Sequence, residues 1–198
     1  MRSTIRPFRL LLPAFLLVAP AFAADTYKID SVHSEVGFKI RHLVAKTSGR
    51  FTAFHGTISV DSSNLSKSTV DIIIDAASIN TDNDYRDKDL RSDKYFDVAN
   101  NPTITFKSTA VKELSKGKLE VTGDFTLHGV TKRISFPITS LGTIPGMNPG
   151  STVIGFGDGA LKLNRHDYGI SAMKGVLGDD VDISLDVEAV KQAPEAKK

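Results

Sequence analysis

The sequence predicts an all-β protein, an extended eight-stranded antiparallel up-and-down barrel with one short helical connection. Three observations carry this. Apolar and polar residues alternate with period two through most of the chain, which marks strands with one dry and one wet face. Turn residues recur between the alternating runs at the spacing of sequential hairpins, and about eight such strands favour a closed barrel. One segment, residues 81–96, breaks the alternation and has the features of a short helix.

The first residues are expected to fall outside the barrel. Arg2, Arg6 and Arg9 form a positive start, residues 10–19 an apolar core, and Ala21-Phe22-Ala23 a small-x-small cleavage signal. This is the pattern of a secretory signal peptide over residues 1–23, and it implies export to the periplasm. A membrane anchor needs about 20 apolar residues, and Pro13 and Pro20 bound a shorter run. Cleavage after Ala23 leaves 175 of the 198 residues and removes three arginines, so the formal charge moves from +2 to −1. A surface so near neutrality exerts no strong steering field and gives no reason to expect a nucleic-acid partner. No cysteine is present, which removes thiolate ligands, a redox role and a lipoprotein anchor. No later run is apolar enough to cross a bilayer as a helix, so the mature chain is not expected to be membrane-integral.

The elements follow in order through a single barrel domain expected over residues 24–190. Val36, Phe38, Ile40 and His42 share one face against Glu35, Lys39 and Arg41. Phe54, Gly56, Ile58 and Val60 oppose His55, Thr57 and Ser59, and Val70, Ile72 and Ile74 oppose Asp71 and Asp75. The helical connection comes next. Thr81 with Asp84 resembles a capping box, and Asp87 with Arg91 is an i,i+4 pair in the favourable order. Ile104, Phe106, Ser108 and Ala110 then share a face, followed by Leu119, Val121, Gly123, Phe125 and Leu127. His128-Gly129 supplies the positive-φ pair of a two-residue hairpin, and Ile134, Phe136 and Ile138 continue beyond it. Residues 143–150, rich in Pro and Gly, read as a loop, and the glycines of residues 155–159 as bends in a curved strand. Val181, Ile183, Leu185 and Val187 form the last face, and residues 191–198 a disordered tail.

The motifs of common chemistries are missing. His33, His42, His55, His128 and His166 show no zinc spacing, and no metal site is expected. Asp82, Asp84, Asp87 and Asp89 are interrupted by Arg86 and suit a solvated helix start better than calcium. The glycine run at 155–159 lacks the helix and Gly-Lys-Ser/Thr of a phosphate loop. No serine sits in Gly-x-Ser-x-Gly, no paired carboxylates fall on an apolar face, and no catalytic residue or cofactor is assigned. His42 alone among the histidines falls on an apolar face. It is either a satisfied core histidine or a polar contact for a ligand head group.

The chain resembles the YceI family of periplasmic, lipocalin-like proteins. The resemblance rests on Tyr27-Lys28-Ile29-Asp30, His33-Ser34, Val36-Gly37-Phe38, His42-Leu43, Gly49-Arg50-Phe51 and Phe54-His55-Gly56. It continues through Arg86-Asp87-Lys88-Asp89-Leu90-Arg91-Ser92 into Tyr95-Phe96-Asp97, then residues 102–109, 123–132 and 164–170. The family often carries His where Asp89 stands, and its frequent Asp-Pro-Trp-Gly turn is replaced by the Pro/Gly loop. The resemblance implies an extended eight-stranded barrel, often a homodimer, with a polyisoprenoid or similar long-chain lipid in its lumen, no catalytic residues, and stress-linked expression.

The expected function is therefore a periplasmic carrier or scavenger of a long apolar lipid such as an isoprenoid quinone. The expected lipid-facing residues are Val36, Phe38, Ile40, His42, Phe54, Ile58, Ile72, Ile74, Ile104, Phe106, Phe125, Leu127, Ile134 and Phe136. Gly56, Ala110 and Gly123 are expected to leave room for the ligand. Three rival readings stay open: an envelope barrel whose lumen is packed core, a lipid-modifying enzyme, and an outer-membrane barrel, which wants aromatic girdles that a chain without Trp supplies poorly.

Overall fold

A computed structural model describes residues 24–193. The expected signal peptide and the last five residues of the expected tail lie outside the described residues. Eleven strand segments and one α-helix follow in order: β1 (Asp25–Ile29), β2 (Glu35–His42), β3 (Ala45–Phe51), β4 (Phe54–Val60), β5 (Thr69–Asp75), β6 (Ile79–Asn80), α1 (Asp84–Arg91), β7 (Thr103–Ser115), β8 (Lys118–Leu127), β9 (Val130–Pro145), β10 (Thr152–Asn164) and β11 (Leu177–Lys191).

The eleven segments make eight staves. β1 and β2 both lie antiparallel to β11, with Ile29 opposite Ala189 and Val36 opposite Leu185, so they are one strand broken at residues 30–34. β3 and β4 pair with β2 and β1 and form the second stave. β5 and β6 form the third, pairing with β4 and β3. From there β5–β7, β7–β8, β8–β9, β9–β10 and β10–β11 pair in sequence order, and β11 meets β1 and β2 to close the ring. The fold is a closed antiparallel eight-stranded up-and-down barrel.

Local chemistry sets the turns and bends. His128 (φ 51°) and Gly129 (φ 74°) form the tight β8–β9 turn, the mirror-image geometry that matches strand twist. The Asp61 carboxylate accepts the Ser63 and Asn64 amides at 2.9 Å and folds the β4–β5 turn. β10 takes up an extra residue between Phe156 and Gly159 against β11, and β9 takes one up at Leu141 against β10, which bends both strands as a curved wall requires. Pairing between β9 and β10 covers residues 139–145 and 152–157. Beyond it the seam is bridged by side chains: Lys132 Nζ lies 3.1 Å from Asp167, and His128 Nδ1 donates to the Tyr168 carbonyl at 2.9 Å.

Several sequence expectations are corrected. The register of β7 slips between Ser108 and Ala110, so Ala110 turns outward to solvent and Val111 takes the buried position. The loop expected at 143–150 shrinks to residues 146–151, because β9 continues to Pro145 and pairs with Thr152. Residues 191 and 192, expected in the tail, belong to the barrel: Lys191 pairs with Tyr27, and the Gln192 amide donates to the Thr26 carbonyl at 2.8 Å.

The helical connection is shorter than residues 81–96 and is capped differently. Asn83, not Thr81, caps α1 and accepts the Arg86 amide at 3.0 Å. Asp87 and Arg91 do not pair. Asp87 is buried and accepts the Thr81 amide and hydroxyl at 2.9 and 2.5 Å. Arg91 donates to the Ala77 and Ile79 carbonyls at 2.6 and 2.8 Å, pinning the helix to the turn before β6. Two orphan donors in the bend claim the carboxylate, which exceeds what an exposed ion pair is worth.

The interior divides along the barrel axis. At the end away from α1, Tyr27, Ile58, Val111, Leu119, Val121, Ile154, Phe156 and Ala189 are buried together and fill the lumen. At the α1 end the wall residues Phe38, Ile72, Ile134, Leu161, Leu163 and Leu185 remain partly accessible. The outward positions carry exposed charge, as at Lys39, Lys107, Lys162 and Asp186. Apolar inside and charged outside is the reverse of a lipid-embedded barrel. No helix among the described residues is long and apolar enough to cross a membrane.

Candidate binding cavity

The partly accessible wall encloses a cavity of about 570 Å³ under α1, within the range of about 300–1,000 Å³ usual for ligand sites. Twelve of the fourteen residues expected to face a ligand line it. β2 contributes Val36, Phe38, Ile40 and His42. β5 contributes Ile72 and Ile74, and β7 contributes Ile104 and Phe106. Phe125 and Leu127 come from β8, Ile134 and Phe136 from β9. Phe54 and Ile58 do not reach the cavity: both are buried in the core, with Ile58 in the filled half. Gly56 and Gly123 leave no room for a ligand either. A Cβ on Gly56 would lie 2.2 Å from the Asp71 carbonyl oxygen, and one on Gly123 would lie 2.5 Å from the Phe106 ring. These glycines admit neighbouring strands and rings.

Residues absent from the expected set complete the wall. Leu161 and Leu163 on β10, and Val181, Ile183 and Leu185 on β11, line the side opposite β7. Their alternation was visible in the sequence. Leu90, Tyr95 and Phe96, from α1 and the segment after it, close the top, and the Phe96 ring packs edge-on to Phe51 with centroids 5.8 Å apart. Tyr168 and Ile170, from the β10–β11 connection, close the side, with Tyr168 edge-on to Phe125 at 5.6 Å. No periodicity marks these cap residues, because their positions come from the connections.

Polar groups gather at the mouth: His42, Thr47, Thr81, Asn83, Arg86, Asp89 and Arg165. His42 is exposed, so it is a rim residue and not a core histidine. Arg86 donates to the Thr81 hydroxyl and carbonyl, both at 2.7 Å. Arg165 is buried and donates to the carbonyls of Gly178, Ile170 and Ala172 at 2.9, 3.0 and 2.7 Å. It thereby fixes the β10–β11 connection against the cavity. Burial pushes the Tyr95 phenol above its ordinary range, the nearby Asp89 charge adds to this, and Arg165 opposes it. Burial, then Asp167, does the same to Tyr168. Both shifts favour the protonated phenol.

Such a site can hold an apolar chain along hydrocarbon and aromatic walls, with a polar end at the mouth. Among the described residues no serine hydroxyl is hydrogen-bonded to a histidine. One group with metal-ligand chemistry, Asp30, His33 and Glu188, has ligand atoms within 4.8 Å of one another. It sits outside the lumen at the β1–β2 break, where His33 Nδ1 and Asp30 already pair at 2.9 Å.

A closed up-and-down barrel with an apolar lumen defines a class of lipocalin-like barrels. The YceI-like domain model matches residues 27–189, and the chain belongs to the YceI-like family. It is 38% identical over 183 residues to a UPF0312 protein of Vibrio parahaemolyticus, covering 90% of this chain and 94% of that one. The fold is similar to the crystal structure of the Campylobacter jejuni YCEI protein, with a TM-score of 0.67 and 29% identity over 83% of this chain and 96% of that chain. It is also similar to a polyisoprenoid binding domain from Saccharophagus degradans, with a TM-score of 0.64, 18% identity and coverage of 84% and 98%. At that identity the last likeness speaks for the fold alone.

Proposed function

We propose that the protein is a periplasmic binding protein that carries or sequesters a long-chain apolar lipid, a polyisoprenoid or isoprenoid quinone, in its lumen. The observation that carries this reading is the division of the interior. The filled half shows that this chain can pack a barrel solid, yet the half under α1 keeps about 570 Å³ walled by Phe38, Ile72, Phe106, Ile134, Leu163 and Leu185. An apolar chain entering that space gains about 0.8 kcal/mol per buried CH₂. Firm binding then needs few polar contacts, and discrimination between tails of similar length is weak. The chain shares its barrel fold with a polyisoprenoid binding domain. Export to the periplasm rests on the sequence pattern of residues 1–23.

The test is organic extraction of protein released by osmotic shock and purified without detergent, followed by mass spectrometry. A co-purifying long-chain lipid is the expected result. Its absence, together with no rise in melting temperature on adding prenyl quinones, would replace this reading with an unliganded envelope barrel.

A further inference from the structure

The mouth of the cavity carries apolar side chains that the fold does not need. Val44 is 100% exposed, Tyr85 89%, Leu43 55% and Met173 47%. They come from three separate connections: the β2–β3 turn, the start of α1, and the β10–β11 connection. The three meet at one opening. Tyr85 and Met173 line the cavity directly, as do His42 and Thr47 on either side of the β2–β3 turn. The Leu43 amide donates to the Val176 carbonyl at 2.9 Å, and the Val176 amide to the Met173 carbonyl at 3.0 Å, which ties the turn to the neighbouring connection.

The backbone sharpens the point. Leu43 has φ 51° and Met173 φ 52°. The left-handed region is uncommon for bulky side chains and favours Gly, Asn or Asp. Leu43 stands at the first central residue of a two-residue hairpin, where Gly is the ordinary choice. Two positions on the rim therefore combine a disfavoured backbone with a wetted hydrocarbon chain. A polar residue would relieve both at no cost to the barrel.

We infer that the cavity mouth is a membrane-docking surface, on which Leu43, Val44, Tyr85 and Met173 insert among the lipids of a phospholipid bilayer. The ligand proposed above is insoluble in water, and a mouth seated on the bilayer lets it pass into the lumen without crossing solvent. The docking claim rests on that reading for its purpose, while insertion itself is measurable on empty protein. Charges beside the rim are mixed and partly engaged, Lys46 with Asp182 at 2.6 Å and Arg50 with Asp82 at 3.8 Å. Docking is therefore driven by hydrocarbon, survives high salt, and is weak and reversible like that of a single acyl chain.

The chain has no tryptophan, so one added Trp is an unambiguous reporter. Val44→Trp is mixed with vesicles of phosphatidylethanolamine and phosphatidylglycerol, with and without brominated acyl chains. The expected result is a blue shift on vesicle addition and quenching by the brominated lipid. Met147→Trp, exposed on the β9–β10 hairpin at the opposite end, shows neither. Adding Leu43→Asn and Tyr85→Ser to the Val44→Trp protein lowers vesicle partitioning at least about tenfold. Asn suits the positive φ of residue 43, and an unchanged melting temperature separates lost docking from lost fold. No quenching of Val44→Trp, equal quenching at Met147→Trp, or a concentration-dependent blue shift without vesicles would each overturn the proposal, the last in favour of self-association. Lipid extraction and prenyl quinone titration of the same protein separate the two readings: bound lipid without insertion ends the docking claim alone, and insertion with neither extracted lipid nor a rise in melting temperature ends the carrier claim alone.

Discussion

The two halves of the barrel are built from the same eight staves but are filled differently. Away from α1, Leu119, Val121, Ile154 and Phe156 meet across the axis and leave no lumen. Under α1, the same strands β8 and β10 present Phe125, Leu161 and Leu163 to an open space. Inward parity runs unbroken along β8 and shifts by one residue at the bulges of β7 and β10. The difference comes from what lies over the end. Close-packed interiors leave few voids larger than a water molecule, so an apolar cavity of this size beside a solid core is a functional feature and not a packing failure.

Substitutions of equal chemistry in the two halves should therefore behave unequally. Leu119→Ala in the filled half is expected to cost about 2–5 kcal/mol, while Ile134→Ala on the cavity wall costs less than about 2, because one side of Ile134 already faces space. Urea denaturation midpoints measure both. Equal losses would mean that the two halves are packed alike.

Enlarging side chains reverses the test. Val121→Trp has nowhere to go and should destabilise by about 1–3 kcal/mol or more, whereas Leu163→Trp grows into the cavity and should cost under about 1. Thermal melts of the purified variants give the comparison. A tolerated Val121→Trp would show hidden room in the filled half.

The cap distinguishes the halves, so loosening it should affect one of them. Asp87→Ala strands the Thr81 amide and hydroxyl and should cost about 1–3 kcal/mol. Asp87→Asn keeps one acceptor oxygen and should cost less. Hydrogen exchange should quicken in residues 81–102 and stay unchanged for β8 amides near Leu119. Uniform quickening would make the connection part of the global fold and not a separate cap.

The alternation in the sequence made the strands, their order and most of the cavity wall legible, since parity alone decides which side chains point inward. It did not reveal where along the axis the lumen is filled. Ile58 and Ile72 have the same parity, yet Ile72 lines the cavity and Ile58 is core. Parity also fails at register shifts, which is why Ala110 and Val111 exchange roles. The cap residues Tyr95, Phe96 and Tyr168 were missed because tertiary contacts place them, and the partner of Asp87 was missed because the Thr81 donors lie in a bend that helix periodicity does not describe.

The smallest effect lies at the break between β1 and β2, in the filled half. The hydrogen bond that the His33 ring donates to Asp30, then the charge of that carboxylate, raises His33 above its ordinary value of 6.5. The same bond to His33, with amides from the turn, lowers Asp30 below its ordinary 3.8. The stabilisation from His33 is full below about pH 6.5 and is lost as pH rises through the higher folded value, while that from Asp30 is lost as pH falls through the lower one. An NMR titration should place the His33 midpoint above 6.5, and Asp30→Asn should return it toward that value. An unchanged midpoint in Asp30→Asn would remove the pair from the account.

The central claim is that the cavity half, and not the barrel at large, holds the lipid. The direct measurement is the melting temperature of delipidated wild type and of Phe38→Asp during titration with a long-chain prenyl quinone. Phe38 lines the cavity, and a charge on that wall should repel an apolar chain. The wild-type melting temperature should climb with ligand concentration, as linkage requires of any ligand that binds the folded state, while Phe38→Asp, folded but starting from its own lower value, should stay flat. A flat wild-type titration, or an equal climb in both proteins, would contradict the account.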